Sequence, residues 1–198
     1  MANPPFWWKE KELIQQNFPI KTNATEMLFL QHIAKNLKLW WTASIVVPEW
    51  VLFNTWNAFK EIKKEILENF NLHSIISLPA WVFLPYSWVK TNIIFFDRVW
   101  STKDIWYYEI DLWRTLTKNK PLNYEEIKDI PEKLQKRELW ANSWIVKIEE
   151  IKDYDLSAKN PNKAKEKDLK SPLEIIESIE KNDKEIEVLV SELKGMVK

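Results

Sequence analysis

The sequence predicts an α/β fold built around a sheet that is at least partly parallel. Residues 43–48 form a short apolar run without alternation. Such a run is typical of a strand buried on both faces, and therefore of a parallel sheet. A helical pattern follows over residues 55–70, and a second short strand over 74–78. A strand, a helix and a strand at this spacing predict a βαβ unit with a right-handed crossover.

A helix is also predicted upstream of this unit, over residues 24–39. Asn23 and Glu26 stand three residues apart at its start, as the two partners of a capping box do. Residues 1–22 are irregular, with one short amphipathic piece from Lys9 to Phe18. The buried stripe of the helix consists of the apolar residues that follow at helical spacing, which are Met27, Leu28, Leu30, Ile33, Ala34 and Leu37.

Two further strands are predicted, over residues 91–97 and 104–110. A loop without a helix joins strand 74–78 to strand 91–97, so we expect these two strands to pair antiparallel at a sheet edge. Beyond residue 110 the pattern weakens into short helical turns. Residues 152–171 are rich in Lys, Asp, Asn, Ser and Pro, which is typical of a linker or a surface strap.

The last part of the chain predicts an amphipathic helix over residues 171–198. Ser171 is a candidate N-cap, Pro172 takes the first helical position, and Glu174 closes the capping box. A narrow seam of this kind packs against another helix. That helix belongs either to this chain or to another chain, and we favour another chain. The seam repeats with heptad spacing at Ile176, Ile179, Ile186, Val190, Leu193 and Val197.

The composition excludes several classes of protein. The formal net charge is zero, so no overall field attracts nucleic acid, although local patches remain possible. The chain has no cysteine, which excludes disulfides and thiolate metal sites and suits a reducing compartment. No apolar run reaches the ~18 residues of a membrane span. We therefore expect a soluble cytoplasmic protein with no membrane partner.

Glycine is almost absent, whereas tryptophan is abundant: the chain has 1 glycine and 13 tryptophans. About 14 glycines would be expected at this length. Most tryptophans stand at turn and helix-end positions, where glycine is usual. We hypothesise that these are UGA codons, which the source organism reads as glycine and another codon table writes as tryptophan. The alternative is a protein that is truly rich in tryptophan.

Trp106 and Trp144 differ from the others because they lie in β-favouring apolar segments, and we expect them to be true tryptophans. The positions best read as glycine are Trp7, Trp8, Trp41, Trp50, Trp56, Trp81 and Trp88. The pattern leaves open Trp40, Trp100, Trp113 and Trp140.

The strongest chemical signal is the tetrapeptide Asn3-Pro4-Pro5-Phe6. It resembles the catalytic motif of adenine-specific DNA methyltransferases that use S-adenosylmethionine. The exocyclic nitrogen of adenine is conjugated with the ring and is a poor nucleophile. The resemblance implies that Asn3 and the Pro4 carbonyl accept the two amino hydrogens and direct the lone pair at the methyl group. Phe6 would offer its ring to a base that has left the helix.

The remaining chain, read with glycine at those tryptophans, resembles the modification subunits of type I restriction-modification systems over about residues 2–165. The matching segments include Thr25–Leu30, Ala43–Phe53, Lys90–Phe96 and Ile105–Glu109. The resemblance implies a partial Rossmann-like, S-adenosylmethionine-dependent methyltransferase sheet that contains only the later strands, with a C-terminal helical extension. Residues 1–110 would be the C-terminal part of the catalytic domain, residues 111–170 an irregular strap, and residues 171–198 the terminal helix.

The resemblance also implies ligands and partners. Phe83 and Tyr86 would form a wall beside the flipped base. The glycine-rich cofactor loop of the family precedes the Asn-Pro-Pro-Phe motif, so we expect the chain to be a C-terminal fragment that holds no cofactor-binding residue and is inactive alone. The expected partners are double-stranded DNA, a specificity subunit and a restriction subunit.

Two alternatives remain beside this reading. A non-catalytic helical assembly module, or a degenerate remnant, would depend on the heptad helix and treat the N-terminal motif as a disordered tail. Phe6 could also be a core residue and Asn3 a helix cap. A metal site is not expected, since neither His32 nor His73 has a second ligand at suitable spacing.

Overall fold

A computed structural model describes residues 1–163 and, beyond them, Ile176, Asn182 and Ile186. Residues Met1–Asn162 form one compact unit, and Lys163–Lys198 form a second. The heptad seam of the predicted C-terminal helix lies outside the described residues, except for Ile176 and Ile186. The predicted divisions at residues 110 and 170 stay predictions. In the described part of the chain, no helix combines the length and apolar character needed to cross a membrane.

A single mixed sheet organises the larger unit. Its five strands are β1 (Thr42–Pro48), β2 (Asn71–Ser77), β3 (Thr91–Asp97), β4 (Asp104–Glu109) and β5 (Ser143–Lys147). They lie in the order β1-β3-β2-β4-β5. β2 and β4 are parallel neighbours, whereas β3 runs antiparallel to both β1 and β2, and β5 runs antiparallel to β4. β1 and β2 therefore point in the same direction, as the predicted βαβ unit requires.

The position of β3 corrects one prediction. The antiparallel pairing of β2 with β3 is confirmed, with Ile75 opposite Ile94. However, β3 lies between β1 and β2 and not at a sheet edge, and Ile45 faces the same Ile94 from the other side. β1 is buried on both faces as predicted, although its ladder partner among the described strands is antiparallel. An unalternating apolar run therefore indicates burial on both faces but does not establish strand direction.

Helices and loops cover the two faces of the sheet. The helices are α1 (Glu12–Gln15), α2 (Thr25–Asn36), α3 (Glu49–Phe53), α4 (Asn57–Asn69) and α5 (Ile130–Lys136). Successive strand residues point to opposite faces. Accordingly, Ile75 and Tyr107 belong to the core cluster that contains the buried residues of α2 and α4, whereas Ile76 and Trp106 belong to a second cluster against the loop after β2 and α5.

The start of α2 corrects a second prediction. The capping box between Asn23 and Glu26 does not form, because the N-cap is Ala24 and no side chain caps the helix. The Glu26 carboxylate instead accepts a hydrogen bond from the backbone N–H of Trp7. The predicted buried stripe is confirmed for Met27 and Leu30, which are almost fully buried. The helix was therefore predicted correctly, but the partner of its first acidic residue was not.

Lys63 shows how α3 and α4 are joined. Its side chain is buried on the core side of α4, beside Ile62 and Ile66. Its ammonium donates hydrogen bonds of 2.8 Å to the carbonyls of Leu52 and Asn54, at the C-terminal end of α3. Burial lowers the pKa of this ammonium to about 8. These contacts satisfy carbonyl groups that a short helix leaves without partners.

Candidate active site

The segment that carries Asn3 begins beside the sheet. The N–H of Ala2 donates to the Ser44 carbonyl, and the Ala2 carbonyl accepts from Val46, both at 2.9 Å. This is a parallel bridge between Ala2 and Ile45. The chain therefore leaves the bridge in the direction of the carboxyl end of β1. Open α/β sheets bind their ligands at this end of parallel strands.

Two acceptor groups of the motif have no hydrogen-bond partner among the described residues. Asn3 is exposed, and its side-chain amide forms no hydrogen bond with any residue that the structure describes. The same holds for the carbonyl of Pro4, whose ring is buried. The two prolines fix φ on either side of this carbonyl and limit how it can rotate. The motif thus presents two hydrogen-bond acceptors on a restrained backbone.

The structure brings Phe6 and Phe83 together. Their ring centroids are 5.7 Å apart, with an interplanar angle of 75°, which is an edge-to-face contact. Phe83 lies in the loop over residues 78–90, which follows β2. Tyr86 lies in the same loop but is 93% exposed. Of the two residues predicted as a wall for the base, one therefore touches the motif and the other faces solvent.

A polar network at the carboxyl end of β1 and β2 fixes the base of this loop. Glu49 accepts from the Asn92 amide at 2.6 Å, and its other oxygen lies 3.3 Å from the ammonium of Lys90. Ser77 donates to the Asn92 amide oxygen at 2.6 Å. Asn92 is fully buried, so both ends of its amide group are satisfied inside the protein. The motif and the loop after β2 therefore lie at the same edge of the sheet.

A cleft of about 390 Å³ opens at the same edge, after β2 and β4. Its lining includes Trp81, Lys90 and Arg114. Arg114 forms two hydrogen bonds with the Glu126 carboxylate, and this partner lowers the pKa of Glu126. The cleft is thus lined by both apolar and charged groups. No cluster of three or more acidic or histidine side chains suitable for a metal ion occurs among the described residues.

Comparison with known proteins identifies this arrangement. The N-6 DNA methylase family matches residues 1–170. The chain belongs to the N-6 DNA methylase family. A relative is the methylase subunit of the type I restriction enzyme EcoEI of Escherichia coli, which is 36% identical over 175 residues, covering 81% of this chain and 36% of the relative. The chain thus spans about a third of the length of this curated methylase subunit.

Solved structures agree with the N-6 DNA methylase assignment. A chain described for complex assembly and conformational transition of the type I restriction-modification system is 42% identical, with a TM-score of 0.76. The alignment covers 98% of this chain and 44% of that chain. A modification subunit ascribed to a type I restriction enzyme of Vibrio vulnificus is 39% identical, also with a TM-score of 0.76. That alignment covers 81% of this chain and 37% of the Vibrio protein.

Several contacts of this candidate site cannot be predicted from the sequence. Glu26 was interpreted as part of a helix cap, and its contact with residue 7 spans 19 positions of the chain. Glu49 and Asn92 were not singled out, although Asn92 lies at a predicted strand start. A polar residue in an otherwise apolar strand is a signal that could have identified Asn92. Nothing local indicates the partner of Glu49, because 43 positions separate the two residues.

Proposed function

We propose that the chain is part of the modification subunit of a type I restriction-modification system, and that this subunit methylates the exocyclic amino group of adenine in double-stranded DNA. The observation that carries the proposal is the free pair of acceptors at Asn3 and Pro4, held at the carboxyl end of β1. The family and the named methylase subunits support the same chemistry. S-adenosylmethionine would supply the methyl group, and the described residues fit the acceptor side of such a reaction.

The geometry explains what the motif residues would do. An adenine amino group has two hydrogens, and the Asn3 amide oxygen and the Pro4 carbonyl can accept one each. This localises the nitrogen lone pair and orients it, which is catalysis by positioning and electrostatics. Phe6 would stack on the base after it leaves the helix. Phe83 supports the Phe6 ring through the edge contact, and Tyr86 is exposed where it could contact the DNA.

The partners follow from the kind of system. We propose a specificity subunit that selects the DNA sequence and a restriction subunit in the full complex, with the cytoplasm as the location. The segment proposed to contact the specificity subunit is residues 171–198, for which the sequence predicts a helix. A non-catalytic assembly module would require the N-terminal motif to be a loose tail. The bridge between Ala2 and Ile45 argues against that reading, because it orders the chain directly before Asn3.

The test replaces the acceptor side chain in the full-length gene product, assayed with its specificity subunit. Asn3→Ala should lower the methyl-transfer rate by about 100-fold or more, because an electrostatic contact to the reacting group is lost. DNA binding should be retained. Asn69→Ala is the control, since Asn69 is exposed at the end of α4, at the opposite edge of the sheet. An Asn3→Ala enzyme with wild-type methylation would refute the proposed function.

A further inference from the structure

Helix α2 holds the chain immediately after the catalytic motif. The Glu26 carboxylate accepts from the N–H of Trp7 at 3.0 Å. Its neighbour Thr25 donates through its hydroxyl to the carbonyl of Trp8 at 2.9 Å. Two consecutive residues of the first turn of α2 therefore bind two consecutive residues that follow Phe6. The contact with residue 7 involves only its backbone, so it does not depend on which side chain residue 7 carries.

A glutamate is an unusual residue to bind the N–H of residue 7 at a buried position. Its side chain is 1% exposed, and its second oxygen, Oε2, is buried without a hydrogen-bond partner in the described structure. A buried carboxylate with an unsatisfied oxygen is destabilising. Consistent with this, burial raises the pKa of Glu26. A hydrogen bond to a charged acceptor is roughly twice as strong as a neutral one, so the carboxylate holds this N–H more firmly than a hydroxyl or an amide would.

The motif is therefore fixed at both ends. Ala2 is paired with β1 before Asn3, and residue 7 is bound to Glu26 after Phe6. Only four residues lie between these anchors, and two of them are prolines with restricted φ. We propose that Glu26 is a positioning residue for methyl transfer, which sets the orientation of the Asn3 and Pro4 acceptors by holding the chain after Phe6. This inference depends on the proposed function.

Gln31 offers a matched control on the same helix. It is also buried, and its amide forms two hydrogen bonds with the backbone of Ile20, at 3.1 and 2.9 Å. It therefore anchors a preceding segment to α2 as Glu26 does, but not the motif. Glu26→Leu and Gln31→Leu each remove one buried anchor and keep a side chain of similar size. The two variants are compared at a temperature where both are folded, so a difference in catalysis reports positioning.

The experiment measures kcat and the KM for DNA in the full-length gene product with its specificity subunit. Glu26→Leu should lower kcat by about 100-fold with little change in KM, because small misplacement of reacting groups has effects of that size. Glu26→Gln should recover about 10-fold, since its amide oxygen is a weaker acceptor in the same place. Gln31→Leu should retain the wild-type kcat at a temperature where circular dichroism shows all variants folded.

The outcomes separate the two proposals. A wild-type enzyme without adenine methylation, or a fully active Asn3→Ala enzyme, would refute the proposed function itself. An active wild type whose Glu26→Leu variant matches Gln31→Leu in kcat would refute only the positioning role. If Glu26→Leu fails to fold, Glu26→Gln decides alone: an unchanged kcat overturns the inference, and a reduced kcat at unchanged KM supports it.

Backbone angles carry an independent inference about the tryptophans. Trp7, Trp40 and Trp81 have φ values of 66°, 67° and 71°. They are three of the six non-glycine residues with positive φ in the described part of the chain. The left-handed region costs a residue with a Cβ atom about 1–2 kcal/mol, and glycine enters it freely. A bulky aromatic side chain is among the least expected residues there.

We infer that positions 7, 40 and 81 are encoded by UGA and are glycine in the protein that the source organism makes. The codons of the gene and peptide mass spectrometry of the protein from that organism test this directly. We expect UGA and a glycine residue at these three positions, with UGG and tryptophan at Trp106 and Trp144. UGG codons at positions 7, 40 and 81, or peptides with tryptophan there, would overturn the inference.

Discussion

The tryptophans of the sheet and those of the turns occupy opposite environments. Trp106 in β4 and Trp144 in β5 are 1% and 7% exposed. Trp7, Trp40 and Trp81 are 63%, 72% and 40% exposed, and their backbones are left-handed. The structure therefore buries the side chains of the first group and leaves those of the second group exposed. The same residue type has a packing role in one region and no comparable role in the other.

Neighbouring contacts strengthen this contrast. The ring of Trp106 stacks on Tyr108 at 5.4 Å, and its indole N–H donates to the Glu138 carbonyl at 3.1 Å. Such a buried ring with a satisfied polar group is how tryptophan is normally used in a core. Trp7, by contrast, stacks on Trp50, which is itself one of the residues that the sequence suggests to be glycine. The exposed ring of Trp7 thus contacts another suspect residue, whereas Trp50 also packs against the core beside Phe59.

The largest expected effect is in the sheet. Trp106→Ala should lower the free energy of unfolding by about 3–5 kcal/mol, because it leaves a large cavity and removes the hydrogen bond of the indole N–H. Urea denaturation followed by circular dichroism measures the change. Trp100→Ala is the control, since Trp100 is 57% exposed and should change stability by no more than about 0.5 kcal/mol. An equal loss of unfolding free energy in both variants would contradict the distinction between the tryptophans of the sheet and those of the turns.

The burial of His73 in the sheet predicts that the stability of the fold depends on pH. His73 in β2 is buried, with its Nδ1 2.8 Å from the Ser74 hydroxyl, and burial lowers its pKa to about 4, with a smaller contribution from Arg137. Between pH 6.5 and 4 the unfolded chain binds the proton that the folded chain excludes, so stability falls as the pH is lowered through this range. The loss should be about 2 kcal/mol.

An acid beside His73 has the opposite effect on the pH dependence of stability. Asp97 lies 3.9 Å from the His73 Nε2, and burial raises the pKa of Asp97, so its contribution to stability is lost as the pH rises through that pKa. A His73→Gln variant isolates the histidine. Its unfolding free energy should vary less between pH 6.5 and 4.5 than that of the parent chain. The same slope in both proteins would show that His73 is not desolvated.

Local patterns predicted the elements well but not how they are ordered in space. The strand predicted over residues 91–97 is observed with those bounds, because β-branched and aromatic residues favour a strand wherever they occur in a run. Its insertion between β1 and β2 depends on backbone pairing with residues 15 to 55 positions away. No feature of the strand itself distinguishes a central from an edge position when both of its neighbours are apolar.

The candidate site shows the same limit. The motif Asn3–Phe6 was identified from four adjacent residues, since its chemistry depends on their order. The contact of Glu26 with residue 7 could not be predicted, because an acidic residue at a helix start either caps the helix or binds another segment. In this protein Glu26 binds another segment, and that segment lies before the helix in sequence. Only the folded chain places that segment next to Glu26.

The smallest effect provides the sharpest test of the turn tryptophans. Trp40 is suited to it, since its φ is 67° and its ring makes no aromatic or cation–π contact in the described structure. Trp40→Gly should raise the free energy of unfolding by about 1 kcal/mol, because relief of the left-handed strain exceeds the added entropy of the unfolded chain. Urea denaturation of the chain with tryptophan at position 40 as reference measures the change.

Trp113 is the matched position with the opposite expected sign. It is 90% exposed and lacks a positive φ, so glycine relieves no strain there. Trp113→Gly should therefore lower the free energy of unfolding by about 0.5–1 kcal/mol through the flexibility it adds to the unfolded chain. Opposite signs at positions 40 and 113 would show that the backbone of the first position is built for glycine. Equal signs would mean that exposure alone separates the turn tryptophans from those of the sheet.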